Sequence, residues 1–436
     1  MSDTTEMSAS KASGEPAGKA TSGLSTLGSI AVATLGVQAM TLLTGIISAR
    51  VLGVQGRGEL ALAVAASALF ARLTMAGALP VSISTLLARE GLTARDGLRP
   101  FVGRWAWQAL VPSAAAGAYV GYLLREESPY VFVGLGLAAA AITYQTIATG
   151  IIGAAIQGEL APIRTVAIGA IVLVAPFPIA LSVIVAFVSV DDAVAVAGIL
   201  VASGFVGWML NLRLLRAGEG RTSTITAAEL SRTSRANYVA AVGTLNSLGI
   251  DRNLVGAWLG TAALGLYAVA VAFGSLSSIV GNGVASLLLP RLTAAAPADR
   301  RRLIRTWSLG TGVFIALLVV GIQLVLHPVI TVAFGKEFEG AVEIARWLVL
   351  ADGLMGMRRL PICVLQARGR AGLASIIETV CTVALVAGIA GAALADRLVL
   401  VAVAMAGSGL LSLVLLTAAA AVAKPGVRGR HVAGRP

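Results

Sequence analysis

The sequence predicts an all-α polytopic membrane protein, with about twelve transmembrane helices in two parallel-repeat six-helix bundles around a central cavity. Three observations lead there. The 436 residues are 57% apolar and only 12% charged, with a mean hydropathy of +0.88, whereas a soluble domain is nearer half apolar and about a quarter charged. Apolar runs of about twenty residues recur from end to end, each long enough to cross a roughly 30 Å hydrocarbon core as a helix. A stretch of eighteen residues near the start of the chain also recurs in its second half.

In chain order, residues 1–25 are polar and read as a disordered cytoplasmic tail; they lack the short apolar segment and cleavage site of a signal peptide. Twelve spans follow, with approximate limits 26–48, 59–88, 104–123, 130–155, 164–187, 193–212, 236–257, 264–289, 304–330, 344–365, 372–394 and 398–423. The second is long and interrupted near Gly77 and Pro80, and the tenth carries Arg358 and Arg359. The longest inner connection, RLLRAGEGRTSTITAAELSRTSR, falls at the midpoint. The domains are therefore an N-terminal six-helix bundle over 26–212, a cytoplasmic linker over 213–235, a C-terminal six-helix bundle over 236–423 and a cytoplasmic tail over 424–436.

The charge distribution supports that count. The formal net charge is +12, which in a soluble protein would suggest nucleic acid. Here the basic residues fall in short loops between spans. With the N-terminus in the cytoplasm, inner segments hold 23 Lys and Arg and outer segments hold 6. Cytoplasmic loops carry such an excess, so both termini are expected inside a bacterial cytoplasmic membrane, and no nucleic-acid partner is expected. The inner basic clusters, such as Arg300, Arg301, Arg302 and Arg305, also suit anionic lipid heads as a secondary role.

The repeat aligns LGVQGRGELALAVAASAL (52–69) with LGTAALGLYAVAVAFGSL (259–276) at an offset of 207, with Gly53/Gly260, Gly58/Gly265 and Ala63/Ala270 among eight identities. It maps the first two helices onto the seventh and eighth in the same orientation, and such parallel repeats place a substrate path between two halves. The arrangement suits alternating access. The chain has no G-x-x-x-x-G-K-[ST] phosphate loop and no cluster with metal-ligand spacing. Cys363 and Cys381 lie in apolar spans rather than aqueous loops. No cofactor is expected, and a coupling ion such as H⁺ or Na⁺ stays open.

An ionisable residue inside a span costs about 2.5–3.5 kcal/mol on insertion scales, so each needs a reason. Arg72 has small helical neighbours, Ala65, Ala68 and Ala76, which suit an interior face. Asp251 and Arg252 lie in the outer half of the seventh helix. Three polar stripes accompany them: Gln38, Thr41, Gly45 and Ser48; Thr244, Ser247 and Asp251 beside Asn246 and Asn253; and Ser275, Ser278, Asn282 and Ser286. These stripes line a wet cavity or bond helix to helix. Arg358 and Arg359 either bind an anion or mark the cytoplasmic edge. Glu378 is a proton-coupling candidate weighed against a structural carboxylate. An enzyme reading rests on Asp191–Asp192 and Glu126–Glu127, in loops too short for a folded catalytic site.

Three stretches carry a resemblance: TGIISARVLGVQGRGELALA (44–63), DRNLVGAWLGTAALGLYAVA (251–270) and LLLPRLTAA (287–295). They resemble the polysaccharide flippases, including the Wzx-type O-antigen flippases, of the multidrug/oligosaccharidyl-lipid/polysaccharide (MOP) exporter superfamily. The A-R-x-L-G-x-x-x-x-G pattern falls at Ala49, Arg50, Leu52, Gly53 and Gly58. The later D-R…L-G-x-x-x-x-G-x-Y pattern falls at Asp251, Arg252, Leu259, Gly260, Gly265 and Tyr267. The resemblance implies a V of two bundles moving a polyprenyl-pyrophosphate-linked oligosaccharide from the inner to the outer leaflet. Its partners would be that lipid-linked glycan, the bilayer and polysaccharide polymerase or assembly proteins. Arginine forks match phosphate oxygens, so Arg72, Arg252 and Arg50 are the expected pyrophosphate contacts. Unlike the drug/cation antiporters of the superfamily, the first helix carries no carboxylate. A drug/cation antiporter of the same fold and a membrane-embedded glycan polymerase or glycosyltransferase are the alternatives.

Overall fold

The computed structural model describes residues 21–73, 79–98, 102–158, 163–215, 225–242, 249–294 and 297–422, and every regular element among them is helical. The first half comprises α1 (Thr21–Leu73), α2 (Leu79–Glu90), α3 (Ala94–Leu98), α4 (Val102–Leu123), α5 (Pro129–Gly158), α6 (Ile163–Val174), α7 (Pro176–Phe187) and α8 (Ala193–Leu214). The second comprises α9 (Ala227–Val242), α10 (Ile250–Trp258), α11 (Gly260–Ala294), α12 (Pro297–Val329), α13 (Ala341–Ala367), α14 (Ala371–Leu394) and α15 (Leu398–Val422).

The expected spans 104–123, 130–155, 193–212, 372–394 and 398–423 fall on α4, α5, α8, α14 and α15 within a few residues. The fifth span is two helices, α6 and α7, meeting at Ala175 ahead of Pro176, whose missing N–H suits the first turn of a new helix. Seven helical stretches among the described residues are long and apolar enough to cross a membrane by length and composition alone. α13 is not one of them, because it carries Glu343, Arg346, Asp352, Arg358 and Arg359. A helix packed among other helices needs no uniformly apolar surface.

α1 is two arms. Gly53 has φ 61° and ψ −169° inside it, and the guanidinium of Arg57 comes back to within 3.9 Å of the position a Cβ on Gly45 would occupy. The repeat partner of that turn lies between α10 and α11, where Gly260 has φ 85°. L-residues with a Cβ rarely adopt this region, so both turns need glycine. Gly58 and Gly265 then meet across the two halves. A Cβ on Gly58 would sit 1.7 Å from the carbonyl oxygen of Thr261, and one on Gly265 would sit 2.1 Å from that of Val54. Thr261 is Val54 displaced by the repeat offset, so the contact is reciprocal and a pseudo-two-fold axis passes through it.

The cores show how the halves are joined. At the turn end one continuous core holds Leu52, Leu60 and Leu62 of the first half with Val255, Leu264 and Tyr267 of the second. Toward the other ends of the helices, among the described residues, two separate cores form. One contains Leu86, Leu98, Ile151 and Ile156, the other Leu288, Leu360, Leu365 and Leu416. The halves share a core at one end and have their own at the other.

One boundary differs from expectation. The segment 213–235, expected as a linker, is helical from Ala227. Thr226 and Glu229 have capping-box spacing, and the Thr226 hydroxyl accepts the Glu229 N–H at 3.1 Å. The same helix docks on the first half: Arg89 of α2 pairs with Glu229 at 2.5 Å, and Leu230 joins the core of Leu86 and Ile151. The expected break near Gly77 lies outside the described residues, as do residues 216–224 of the linker, both polar tails beyond 21 and 422, and Asn246.

Candidate functional site: charged groups at the seam

The seam between the halves runs along the second arm of α1. At its tip Gln55 donates to the Thr261 hydroxyl at 2.7 Å, beside the Gly58–Gly265 contact. Further along, Leu62 packs against Gly256, and Asn253 donates from Nδ2 to the Ala65 carbonyl at 3.1 Å. Residues 54 to 65 of one helix rise about 16 Å, roughly half a bilayer core. Beyond this sealed stretch Arg72 is exposed, about 22 Å along the helix from Arg57.

Five charged or polar groups gather at the sealed part. Asp251 is 7% exposed and accepts the hydroxyl of the fully buried Tyr267 at 2.8 Å. Asp352 of α13 lays its carboxylate against Gly274 of α11, where a Cβ would come within 2.2 Å of Oδ2. Asp352 lies within electrostatic reach of Asp251 and Arg252, and Arg252 within reach of Arg57. Arg57 and Arg252 are half-buried, and the Nε atom of each is buried without a hydrogen-bond partner. Two guanidinium groups within electrostatic reach of each other, each with an unused buried donor, offer a place for an anion.

The other expected contacts are dispersed. Arg50 donates Nε to the Ala333 carbonyl at 2.8 Å and its terminal nitrogen to Val332, tying α1 to the segment before Gly335. Arg358 is buried and donates to Glu378 at 2.6 Å, while the Ser412 hydroxyl donates to the other Glu378 oxygen at 2.7 Å. The cation is thus neutralised inside the second bundle, with half-buried Arg359 next to it. Gln38 lies half-buried on the first arm of α1, and Asn282 lies on α11. Thr41 and Ser48 bond back to their own helix, to Val37 and Thr44. Of the acids weighed for an enzyme, Asp192 caps α8 through the Val194 and Ala195 N–H groups and accepts the Tyr130 hydroxyl at 2.7 Å.

Arg57, Asp352 and the Tyr267–Asp251 bond were not among the residues singled out for the site. Arg57 directly precedes Gly58, so it reads as a loop cation until the turn at Gly53 folds it inward. Asp352 is an acid inside an apolar run, which is itself a signal of function.

Solved structures of MOP superfamily transporters superpose on this helical fold. The lipid II flippase MurJ in an inward closed conformation matches with a TM-score of 0.68 and 11% identity, covering 90% of this chain and 87% of that one. An inward-facing multidrug resistance MATE family transporter matches at 0.63 and 13%, covering 88% and 94%. A MOP superfamily transporter from Pyrococcus furiosus, described as having a binding pocket of reverse polarity, matches at 0.52 and 14%, covering 91% and 93%. No protein-family profile matches the sequence. No curated protein matches it either.

Proposed function

We propose that the chain is a flippase that carries a polyprenyl-pyrophosphate-linked oligosaccharide from the inner to the outer leaflet by alternating access. The observation that carries this reading is the Arg57–Arg252 pair, with two buried unused donors at the sealed end of the V. A pyrophosphate entering a low-dielectric cleft needs fixed cations, and guanidinium forks bind its oxygens in pairs. In this mechanism the cleft opens toward the cytoplasm. Arg72, exposed beyond the seal, meets the headgroup first, and Arg57 and Arg252 hold it at the apex. The polyprenyl chain stays in the bilayer at the gap between the halves. Opening the Gly58–Gly265 contact and closing the far ends then presents the headgroup to the outer face.

The test is complementation of surface-polysaccharide export. Arg252→Ala and Arg57→Ala are expected to abolish export while membrane insertion stays normal, and Arg72→Ala to do the same at the entry step. Normal export by Arg57→Ala and Arg252→Ala together would remove the pair from the substrate path.

A second reading, a drug or cation antiporter, draws on the Asp251–Asp352 proximity and on the multidrug transporters among the superposed structures. Uptake of a lipophilic cation into inverted vesicles, lost in Asp352→Asn, would favour it.

A further inference from the structure

A groove of 590 Å³ runs along α12 away from the seam. Its volume lies within the roughly 300–1,000 Å³ of small-molecule sites. All seven lining residues lie on one face of α12: Arg305 and Thr306 at its head, then Leu309, Val313, Phe314 and Leu317 around Gly310, where a Cβ would meet nothing within 4 Å and the helix surface is notched. The four apolar side chains are exposed, more than half of each to the surroundings.

The polar head of the groove lies at a defined level. α11 runs from the seam at Gly265 to its far end, where the Arg291 guanidinium lies over the Trp307 ring of α12 at 5.1 Å. Trp and Arg side by side mark the headgroup layer of a bilayer. Arg301 and Arg302, both exposed, extend the positive charge of Arg305 outward, with Asp299 the acid on the same turn. From Arg305 to Leu317 the helix rises about 18 Å, slightly more than one leaflet of a roughly 30 Å core. Charge at one end and an apolar trough of leaflet depth below it are the two halves of a phospholipid.

We infer that this groove is a binding site for one anionic phospholipid of the bilayer, whose phosphate sits on Arg305, Arg301 and the Thr306 hydroxyl. One acyl chain lies over Gly310 between Leu309 and Phe314. Clusters of Lys and Arg just cytoplasmic of a transmembrane helix attract anionic headgroups. The lipid-linked glycan path lies at the seam, so this site is separate from the substrate.

The experiment is native mass spectrometry of the purified, delipidated full chain in detergent, titrated with phosphatidylglycerol or with phosphatidylcholine of the same chains. The expected result is one phosphatidylglycerol retained at least tenfold more tightly than phosphatidylcholine. Arg301→Gln with Arg305→Gln should reduce that preference to the phosphatidylcholine level, and Gly310→Leu, by filling the notch, should weaken both lipids. Arg397→Gln, at the opposite end of the bundle, should change nothing. The arginine variants alter exposed side chains and remain decisive if Gly310→Leu fails to fold. Equal retention of the two lipids, or full retention by the double arginine variant, would overturn the inference. Displacement of phosphatidylglycerol by substoichiometric polyprenyl diphosphate would also overturn it, by assigning the groove to the substrate tail. No glycan substrate is present in the assay, so a negative result leaves the flippase proposal standing.

Discussion

A guanidinium at Arg358 is tolerated inside the second bundle because Glu378 lies 2.6 Å away and Ser412 satisfies the second carboxylate oxygen. Removing one member of such a pair strands the other charge, at a cost of about 3–5 kcal/mol, whereas replacing both with apolar residues of similar size is often neutral. Arg358→Ala should therefore lower the stability of the detergent-solubilised protein by about that amount. Arg358→Met with Glu378→Leu should recover most of it in the same thermal unfolding assay. An Arg358→Ala variant as stable as the parent would contradict this reading of the pair. Tyr267→Phe leaves a buried carboxylate oxygen without its donor and should cost about 1.5–3 kcal/mol, the worth of a hydrogen bond to a charged group. That Arg358 and Glu378 carried some function or structural duty was legible from their depth in apolar runs. Their pairing was not, because it joins different helices across twenty residues of sequence, and no local pattern encodes that contact. Asp251, Arg252 and Tyr267 fall in one sequence pattern, D-R…L-G-x-x-x-x-G-x-Y, but nothing in that pattern announces the bond between Tyr267 and Asp251.

Among elements, the two arms of α1 and the α10–α11 turn do the same work in each half. Repeat glycines make both turns, and repeat glycines let the following helices touch backbone to backbone. A methyl group at either contact position would overlap a carbonyl oxygen, so Gly58→Ala and Gly265→Ala must each displace the sealed end. A short bifunctional thiol reagent bridging Gln55→Cys and Thr261→Cys reports on it, since the Gln55 amide reaches the Thr261 hydroxyl at 2.7 Å in the sealed form. We expect rapid crosslinking in the parent background and at least a several-fold loss when Gly58→Ala is added. Undiminished crosslinking would show that the glycines do not hold the seal. Span limits were readable here because apolar length is a strong signal. The onset of α9 was missed because AAELSRTSRA is too polar for a span. Its capping pair Thr226 and Glu229 was nevertheless present in the sequence, and the helix is held by docking on α2 rather than by lipid.

For the whole molecule, one shared core at the turn end and, among the described residues, separate cores at the other give a V, the shape that the proposed alternating access needs. The bias of 23 basic residues to 6 supports an open end facing the cytoplasm in the proposed mechanism. On the proposed route, a substrate that starts on the cytoplasmic face meets Arg72 before the sealed stretch that holds Arg57 and Arg252. Site geometry was the least legible scale. Arg50, Arg72 and Arg252 read as one cluster in sequence, but lie at the turn-end face, beyond the seal and within it, respectively. The central claim, movement of a lipid-linked glycan, is tested most directly by the sidedness of that glycan in cells depleted of the protein, measured alongside surface polysaccharide. Finished lipid-linked oligosaccharide should accumulate on the cytoplasmic face, with loss of surface polymer and recovery by the parent chain but not by Arg252→Ala. Unpolymerised units reaching the outer face at the normal rate would contradict it and point to a polymerase instead.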